Sequence, residues 1–258
     1  MSVGSRVSIP RLRIFNLIMG VFHLTQGILM LLLSSDFALP VTSAFQVFDP
    51  AAGRLVTSHD TIYELPIGPV VAAFLLISAV AHFSISAPGV FGWYARNLVK
   101  GINHARWMEY SLSASVMIVV IAMLVGIYDI ASLILIFAVN ATMILFGWLM
   151  ELYNQRTEKT NWTPYWFGVF AGAIPWVAIA IYLVGSGNEA GGPPGFVYAI
   201  FFTIFLFFNS FAVNMVLQYQ KVGRWRDYLY GERAYIILSL VAKSALAWQV
   251  FAGTLRPV

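Results

Sequence analysis

The sequence predicts an all-α membrane protein built as a bundle of seven transmembrane helices. The chain of 258 residues is 60% hydrophobic and 10% charged, with a mean hydropathy of +0.79. This composition lies outside the range of soluble globular domains and is typical of integral membrane proteins. Seven apolar runs are each long enough to cross a bilayer as a helix. The basic residues fall mainly in alternate connections between these runs, as expected for a multi-pass protein.

The seven runs follow one another without an intervening soluble domain or a repeat of fixed period. We therefore expect a single membrane domain over residues 1–258. The third run is the least regular, because Arg106 and Glu109 are among the polar residues in its first half. The runs are Ile14–Leu33, Ile67–Ala87, Asn97–Gly126, Ile130–Met150, Tyr165–Val184, Phe196–Val216 and Ala234–Gly253.

One connection, Ser34–Pro66 between the first and second runs, is much longer than the others. It contains two short stretches of β-forming residues on either side of an Asp-Pro-Ala-Ala-Gly turn. This pattern predicts a β-hairpin. A disordered loop is the alternative for a connection of this length.

The distribution of basic residues predicts the orientation in the membrane. Twelve basic residues, Arg6 among them, lie before the first run and in the second, fourth and sixth connections, whereas only Arg54 and Arg256 lie on the other side. Cytoplasmic loops carry an excess of Lys and Arg, so we expect the N-terminus in the cytoplasm and the hairpin and C-terminus outside a plasma membrane. Because the basic residues lie in these loops, we expect no nucleic-acid partner.

Lys243 stands at the tenth position of the last run, near the middle of the predicted span. A lysine at this depth costs a few kcal/mol or more, so it indicates a partner or a function. Its side chain is too short to reach either interface from there. Two interpretations remain: a salt bridge to a buried acid, or a covalent bond, since a lysine amine forms a Schiff base with an aldehyde.

Glu109 is the acid that the sequence offers as a partner for Lys243. It is identified as the only acid well inside an apolar run, as Lys243 is the only base. Buried charges are paired or neutralised, so a structural ion pair is one interpretation of these two residues. A metal site is not favoured, because no second carboxylate lies at ligand spacing and the chain has no cysteine. No enzymatic motif is recognisable.

Polar side chains recur at helical spacing in four runs, and they must face the protein interior because lipid cannot satisfy them. His23 belongs to one such stripe and His82 to another. A single buried histidine is more often a core residue whose hydrogen bonds are satisfied by its neighbours. Two histidines within a set of four polar stripes favour a polar cavity instead. Aromatic residues of the later runs are core or lipid-facing in an ordinary bundle, yet some could clamp a long, flat, apolar ligand beside Lys243. These candidates are Trp176, Tyr198 and Phe202.

Seven helices, a lysine in the middle of the seventh and a carboxylate in the third together resemble the retinal-binding rhodopsins, and most closely the heliorhodopsins. The segments that carry the resemblance are RWMEYSLSAS (Arg106–Ser115) and SLVAKSALAWQVFAGTLRP (Ser239–Pro257), with His23 and His82. The resemblance covers essentially the whole chain. The inverted orientation predicted above is the distinguishing feature of that family.

The resemblance implies that Lys243 carries all-trans retinal as a protonated Schiff base and that Glu109 is its counterion. A carboxylate beside the cation favours the protonated form. His23 and His82 resemble the polar cluster of the family, which accepts the Schiff-base proton transiently. By the same resemblance, the long first loop implies a homodimer. The residues implied to line the Schiff-base region are Ser78, Trp107, Ser113 and Ser239.

The sequence favours a light sensor over a proton pump. Proton-pumping microbial rhodopsins have further acids at the positions that correspond here to Val120 and Ser239. With one carboxylate in place of three, we expect internal proton transfer without net pumping, no enzymatic activity, and a signalling partner that the sequence does not name. A light-driven or light-gated proton transporter or channel is the alternative, since buried histidines can relay protons. A non-photochemical membrane protein with a Glu109–Lys243 ion pair is the third class.

Overall fold

The computed structural model describes residues 7–187 and 191–256, which excludes Arg6 from the basic residues counted above. Within these residues, seven helices are long and apolar enough to cross a membrane, and a two-stranded antiparallel sheet accompanies them. The predicted seven-helix bundle is therefore confirmed. In chain order the elements are α1 (Ile9–Leu33), β1 (Ala38–Asp49), β2 (Arg54–Pro66), α2 (Ile67–Ser86), α3 (Pro88–Val99), α4 (His104–Leu124), α5 (Ile130–Asn154), α6 (Thr163–Gly187), α7 (Gly195–Tyr219) and α8 (Tyr228–Val250).

Every helix except α3 is a candidate membrane span, and the last span continues through a π-helical turn, Phe251–Leu255. Neighbours in the bundle follow the chain, and α8 returns to pack against α1. Large aromatic side chains join α6 to α7, where Trp176 meets Phe201, Phe205 and Phe208 edge-on. We call the end of the bundle that bears the β-strands the hairpin side, and the end where α1 begins the N-terminal side.

The third predicted span began too early. Residues Pro88–Val99 form the separate helix α3, which ends before Gly101, a residue with φ of +75° that favours glycine. Asn103 then caps α4, because its side-chain oxygen accepts a hydrogen bond from the backbone nitrogen of Arg106 at 3.0 Å. The polar residues in the first half of the predicted run therefore belong to a turn and to the first turns of α4.

Most of the other spans extend further than their apolar runs, and in α5 and α8 the extension adds an acidic residue. Helix α5 continues to Asn154, four residues beyond the predicted end at Met150. Helix α8 begins at Tyr228, where the side chain of Asp227 accepts a hydrogen bond from Leu229 N at 3.0 Å. These extensions place two further acids inside helices of the bundle.

The predicted β-hairpin is present. Strands β1 and β2 pair from Ala38 with Pro66 to Asp49 with Arg54, around a turn that Gly53 completes with a φ of +61°. The Asp49 carboxylate stabilises this turn by accepting hydrogen bonds from two backbone amides. The base of the hairpin contacts the bundle, where Thr42 N donates to Tyr128 O at 2.9 Å.

Helices α1 and α2 approach closely because α1 has glycine at the contact. A Cβ at Gly20 would lie 2.9 Å from the ring of Phe83 and 3.2 Å from the Cβ of His82, and one at Gly27 would lie 2.7 Å from Leu76. This close approach brings the buried polar residues of α1 against those of α2.

Candidate functional site

A buried ion pair joins α8 to α4 in the middle of the bundle. The Nζ of Lys243, a residue that is 3% exposed, lies 2.7 Å from Oε1 of Glu109. Both residues face the interior because α8 and α4 turn their polar stripes away from lipid. An isolated ammonium at this depth would be costly, so the carboxylate supplies the compensation that Lys243 needs.

Two serine hydroxyls complete the surroundings of the ammonium group. Lys243 Nζ donates to Ser78 Oγ at 2.6 Å and to Ser239 Oγ at 3.1 Å. Ser78 in turn donates to Glu109 Oε1 at 2.6 Å, so it bridges the two charges. Ser113 is fully buried one turn after Glu109 on α4. The structure thus brings four of the predicted residues together around Lys243.

An apolar cavity of about 150 Å³ opens beside Lys243, between α4, α5, α6, α7 and α8. Trp107 and Ser239, which the family resemblance placed near the Schiff base, line it together with Lys243. At Gly147 of α5 there is no room for a side chain, because a Cβ there would collide with the ring of Trp107. An apolar cavity of this size can hold an organic guest. Its further lining residues include Tyr110, Met117, Phe208, Phe211, Met215 and Tyr235.

The structure does not bring the three predicted aromatic residues to this cavity. Trp176 is buried behind Phe208, with their ring centroids 5.5 Å apart. Tyr198 lies near the end of α6 at Gly187. Phe202 is 65% exposed on the outer surface of α7. Aromatic content alone did not separate the inner face of α7 from its lipid face.

The aromatic and apolar residues that do line the cavity follow helical spacing. On α7 they are Phe208, Phe211 and Met215, spaced three and four residues apart. On α8, Tyr235 precedes Ser239 by one turn, as Ser239 precedes Lys243. The spacing of four residues from Lys243 to Ser239 continues to Tyr235, and this pattern in the sequence could have identified Tyr235 as a lining residue.

The two predicted histidines meet between α1 and α2. Their rings stack with centroids 5.5 Å apart. His82 Nδ1 lies 2.8 Å from Asn16 Oδ1, and because the Asn16 amide nitrogen donates to Leu12 O, its oxygen faces His82 as the acceptor. His23 is fully buried, and neither of its ring nitrogens has a hydrogen-bond partner among the described residues.

A second, polar cavity of about 30 Å³ lies on the N-terminal side of the ion pair. A space of this size has room for a water molecule. It connects the surroundings of Glu109 and His82 with the beginnings of α4 and α8. Its polar lining residues are Asn16, Ser78, His82, Tyr94, Asn103, Arg106, Glu109, Tyr110 and Glu232.

A second buried ionic group, which the sequence analysis missed, lies at the far end of this polar cavity. Arg106 forms ion pairs with Glu151 of α5 and Glu232 of α8, and all three side chains are almost fully buried. Glu109 is the only acid well inside an apolar run, but the helices are longer than the runs and also contain Glu151 and Glu232. Both missed acids lie in the helical turns that extend beyond the apolar runs.

Seven spans, a buried lysine–carboxylate pair and an apolar cavity beside the lysine are the arrangement expected of a retinal protein of the rhodopsin class. The comparison with family models is more specific, because residues 12–255 match the model described as Heliorhodopsin. The chain belongs to the heliorhodopsin family, which is not a family of enzymes. A search of curated proteins gave no match.

Proposed function

We propose that the protein is a light sensor in which Lys243 carries all-trans retinal as a protonated Schiff base with Glu109 as the counterion. The observation that carries this proposal is the 2.7 Å contact between Lys243 Nζ and Glu109 Oε1 at the edge of an apolar cavity. The cavity suits retinal chemically, since an amine stands at one wall and the remaining lining is almost entirely apolar and aromatic.

The residues around Lys243 have separate roles in this proposal. Retinal, when bound, supplies a light-driven change of geometry at Lys243 Nζ. Glu109 stabilises the positive charge, and Ser78 orients Glu109 by the hydrogen bond that it donates to Oε1. The free amine of Lys243 donates to Glu109, Ser78 and Ser239, whereas a protonated Schiff base keeps a single N–H, which we assign to Glu109. Trp107 forms part of the apolar wall and is itself held by a hydrogen bond from its indole nitrogen to Glu151 at 2.6 Å.

We propose that the histidine pair is the first acceptor of a proton that leaves Lys243. His82 lines the polar cavity together with Glu109, and His23 stacks on His82. A neutral imidazole has one ring nitrogen that can accept a proton, so each ring of this pair offers an acceptor beside the Lys243–Glu109 pair. The unpaired ring nitrogens of His23 leave capacity for that proton.

The surroundings of Lys243 support internal transfer rather than pumping. Among the described residues, the buried acids Glu109, Glu151 and Glu232 all lie toward the N-terminal side of the bundle. The core toward the hairpin side is built from apolar residues such as Phe74, Ile118 and Leu246. Within the part of the chain that the structure describes, a proton therefore has buried carboxylate acceptors in one direction only, and we propose that it returns by the path it took.

We further propose that the N-terminal side faces the cytoplasm of a plasma membrane, on the charge distribution given above. The hairpin would then be external. It exposes large apolar side chains, and we propose that it holds a homodimer through them. These side chains are Phe45, Val47, Phe48, Leu55, Ile62 and Tyr63.

Two measurements test the proposed function. Adding all-trans retinal to the purified protein should produce a visible absorption band, and no band would indicate a structural ion pair instead. Illuminated cells should then show no sustained change of external pH in the presence or absence of a protonophore. A sustained change that the protonophore abolishes would support the transporter alternative.

A further inference from the structure

The buried ionic group formed by Arg106, Glu151 and Glu232, which we call the Arg106 cluster, has one acid more than it has bases. A guanidinium stays charged in proteins, so it balances one of the two carboxylates. The Lys243–Glu109 pair is balanced by itself. Burying an unbalanced charge is costly, so the cluster is a place where one proton can be taken up favourably.

Hydrogen bonding distinguishes the two acids of the cluster. Glu151 accepts from Arg106 Nη2 at 2.5 Å, Tyr228 Oη at 3.0 Å, Asn103 N at 2.9 Å and Trp107 Nε1 at 2.6 Å. Four donors therefore occupy its two oxygens. Glu151 and Arg106 therefore form the balanced pair of the cluster.

Glu232 is the surplus acid. It is 0% exposed and accepts hydrogen bonds from Arg106 Nη1 and, at 2.7 Å, from Asn103 Nδ2. Both contacts donate to Glu232, and no acceptor for a proton of its own is present among the described residues. Two donors leave acceptor capacity on its oxygens, and Glu232 lines the polar cavity where that capacity can be used.

The polar cavity connects Glu232 with the Lys243–Glu109 pair. Glu109 and Ser78 line it at one end, and Asn103, Arg106 and Glu232 line it at the other. Tyr94 of α3 lies between them, close to the amides of Asn16 and Asn103. Burial raises the pKa of Tyr94 to about 12, so its hydroxyl keeps its proton and can both donate and accept hydrogen bonds.

We propose that Glu232 holds the proton released from Lys243 Nζ during the light reaction, beyond the histidine pair. This inference rests on the proposed function. One N–H bond at Lys243 breaks and one O–H bond forms on Glu232, with no change in oxidation state. Before the transfer the Lys243–Glu109 pair is neutral and the Arg106 cluster is negative; afterwards the cluster is neutral and Glu109 carries the unbalanced charge. The total buried charge is unchanged, so the transfer needs no counterion from outside.

Light-induced infrared difference spectroscopy of the retinal-bound protein tests this proposal. The parent should gain the carbonyl band of a newly protonated carboxylic acid, which shifts in D₂O. The band should be lost in Glu232→Gln, move in frequency in Glu232→Asp, and persist in Glu64→Gln, whose exposed carboxylate lies on the hairpin. A band that persists unshifted in Glu232→Gln, or its absence from the parent, would overturn the proposal.

Thermal unfolding of the retinal-free protein gives a readout that does not depend on pigment formation. Glu232→Gln removes the surplus charge and leaves the balanced pair of Arg106 and Glu151, whereas Glu151→Gln disturbs an acid with four donors. We expect the melting temperature to fall less in Glu232→Gln than in Glu151→Gln. The reverse order would show that Glu232 is not the surplus acid. Failure of the parent to form a visible band would instead count against the proposed function itself.

Discussion

Replacing Glu109 by glutamine removes the charge that stabilises a cation at Lys243. At a separation of 2.7 Å, the attraction between the two unit charges is about 6 kcal/mol for an effective dielectric constant of about 20. The loss of one partner of a buried pair typically costs about 3–5 kcal/mol, because the other charge stays buried. This amounts to about two to four powers of ten in the protonation equilibrium at Lys243 Nζ. We therefore expect much of the Glu109→Gln pigment to be deprotonated at neutral pH.

The assay is a spectral titration of the retinal-bound protein. The protonated form absorbs in the visible range and the deprotonated form in the near ultraviolet, so the ratio of the two bands measures the equilibrium across a pH series. Glu109→Asp is the matched control, because it shortens the side chain but keeps the charge, and it should stay mainly visible. If Glu109→Gln titrates like the parent, Glu109 is not the counterion, and another group or a bound anion supplies the compensation.

Three further predictions concern the lysine, the histidines and the hairpin. Lys243→Ala should abolish pigment formation, whereas Lys221→Ala, in an exposed loop, should not; covalent retinal in Lys243→Ala would refute the assignment. The double variant His23→Phe and His82→Phe should bind retinal but change the lifetime of the deprotonated state in flash photolysis, and unchanged kinetics would exclude the pair from proton transfer. Shortening the hairpin should reduce the dimer population in native mass spectrometry, and an unchanged population would place the dimer contact elsewhere.

The features that the sequence predicted correctly depend on local pattern. Apolar runs of membrane-spanning length predicted seven helices, and turn chemistry at Asp49–Gly53 predicted the hairpin. The pairing of Lys243 with Glu109 followed from electrostatics alone, since two buried opposite charges in one bundle stabilise each other. Ser78 and Ser239, which the family resemblance placed near the Schiff base, are hydrogen-bonded to Lys243 Nζ in the structure.

The features that the sequence did not predict depend on tertiary contacts. Helices α5 and α8 continue beyond their apolar runs because Glu151 and Glu232 find Arg106 and Asn103 inside the bundle. A hydropathy pattern counts Glu151 and Glu232 as loop residues, since it contains no information about their partners. The sequence also did not show which face of α7 lines the cavity. Aromatic residues occur on that face and on the exposed outer face, where Phe202 lies, so aromatic content does not distinguish the two.

The burial of Arg106 also changes how the charge distribution is understood. Arg106 was one of the twelve basic residues that predicted the orientation, but the structure places it inside the bundle between two acids. Eleven basic residues then remain against Arg54 and Arg256, so the predicted orientation still stands. The same side of the protein therefore carries the positive loops and the buried acids. Glu232 lines the polar cavity and Glu151 does not, so Glu232 is the acid of the Arg106 cluster that a proton moving through this cavity from Lys243 would reach.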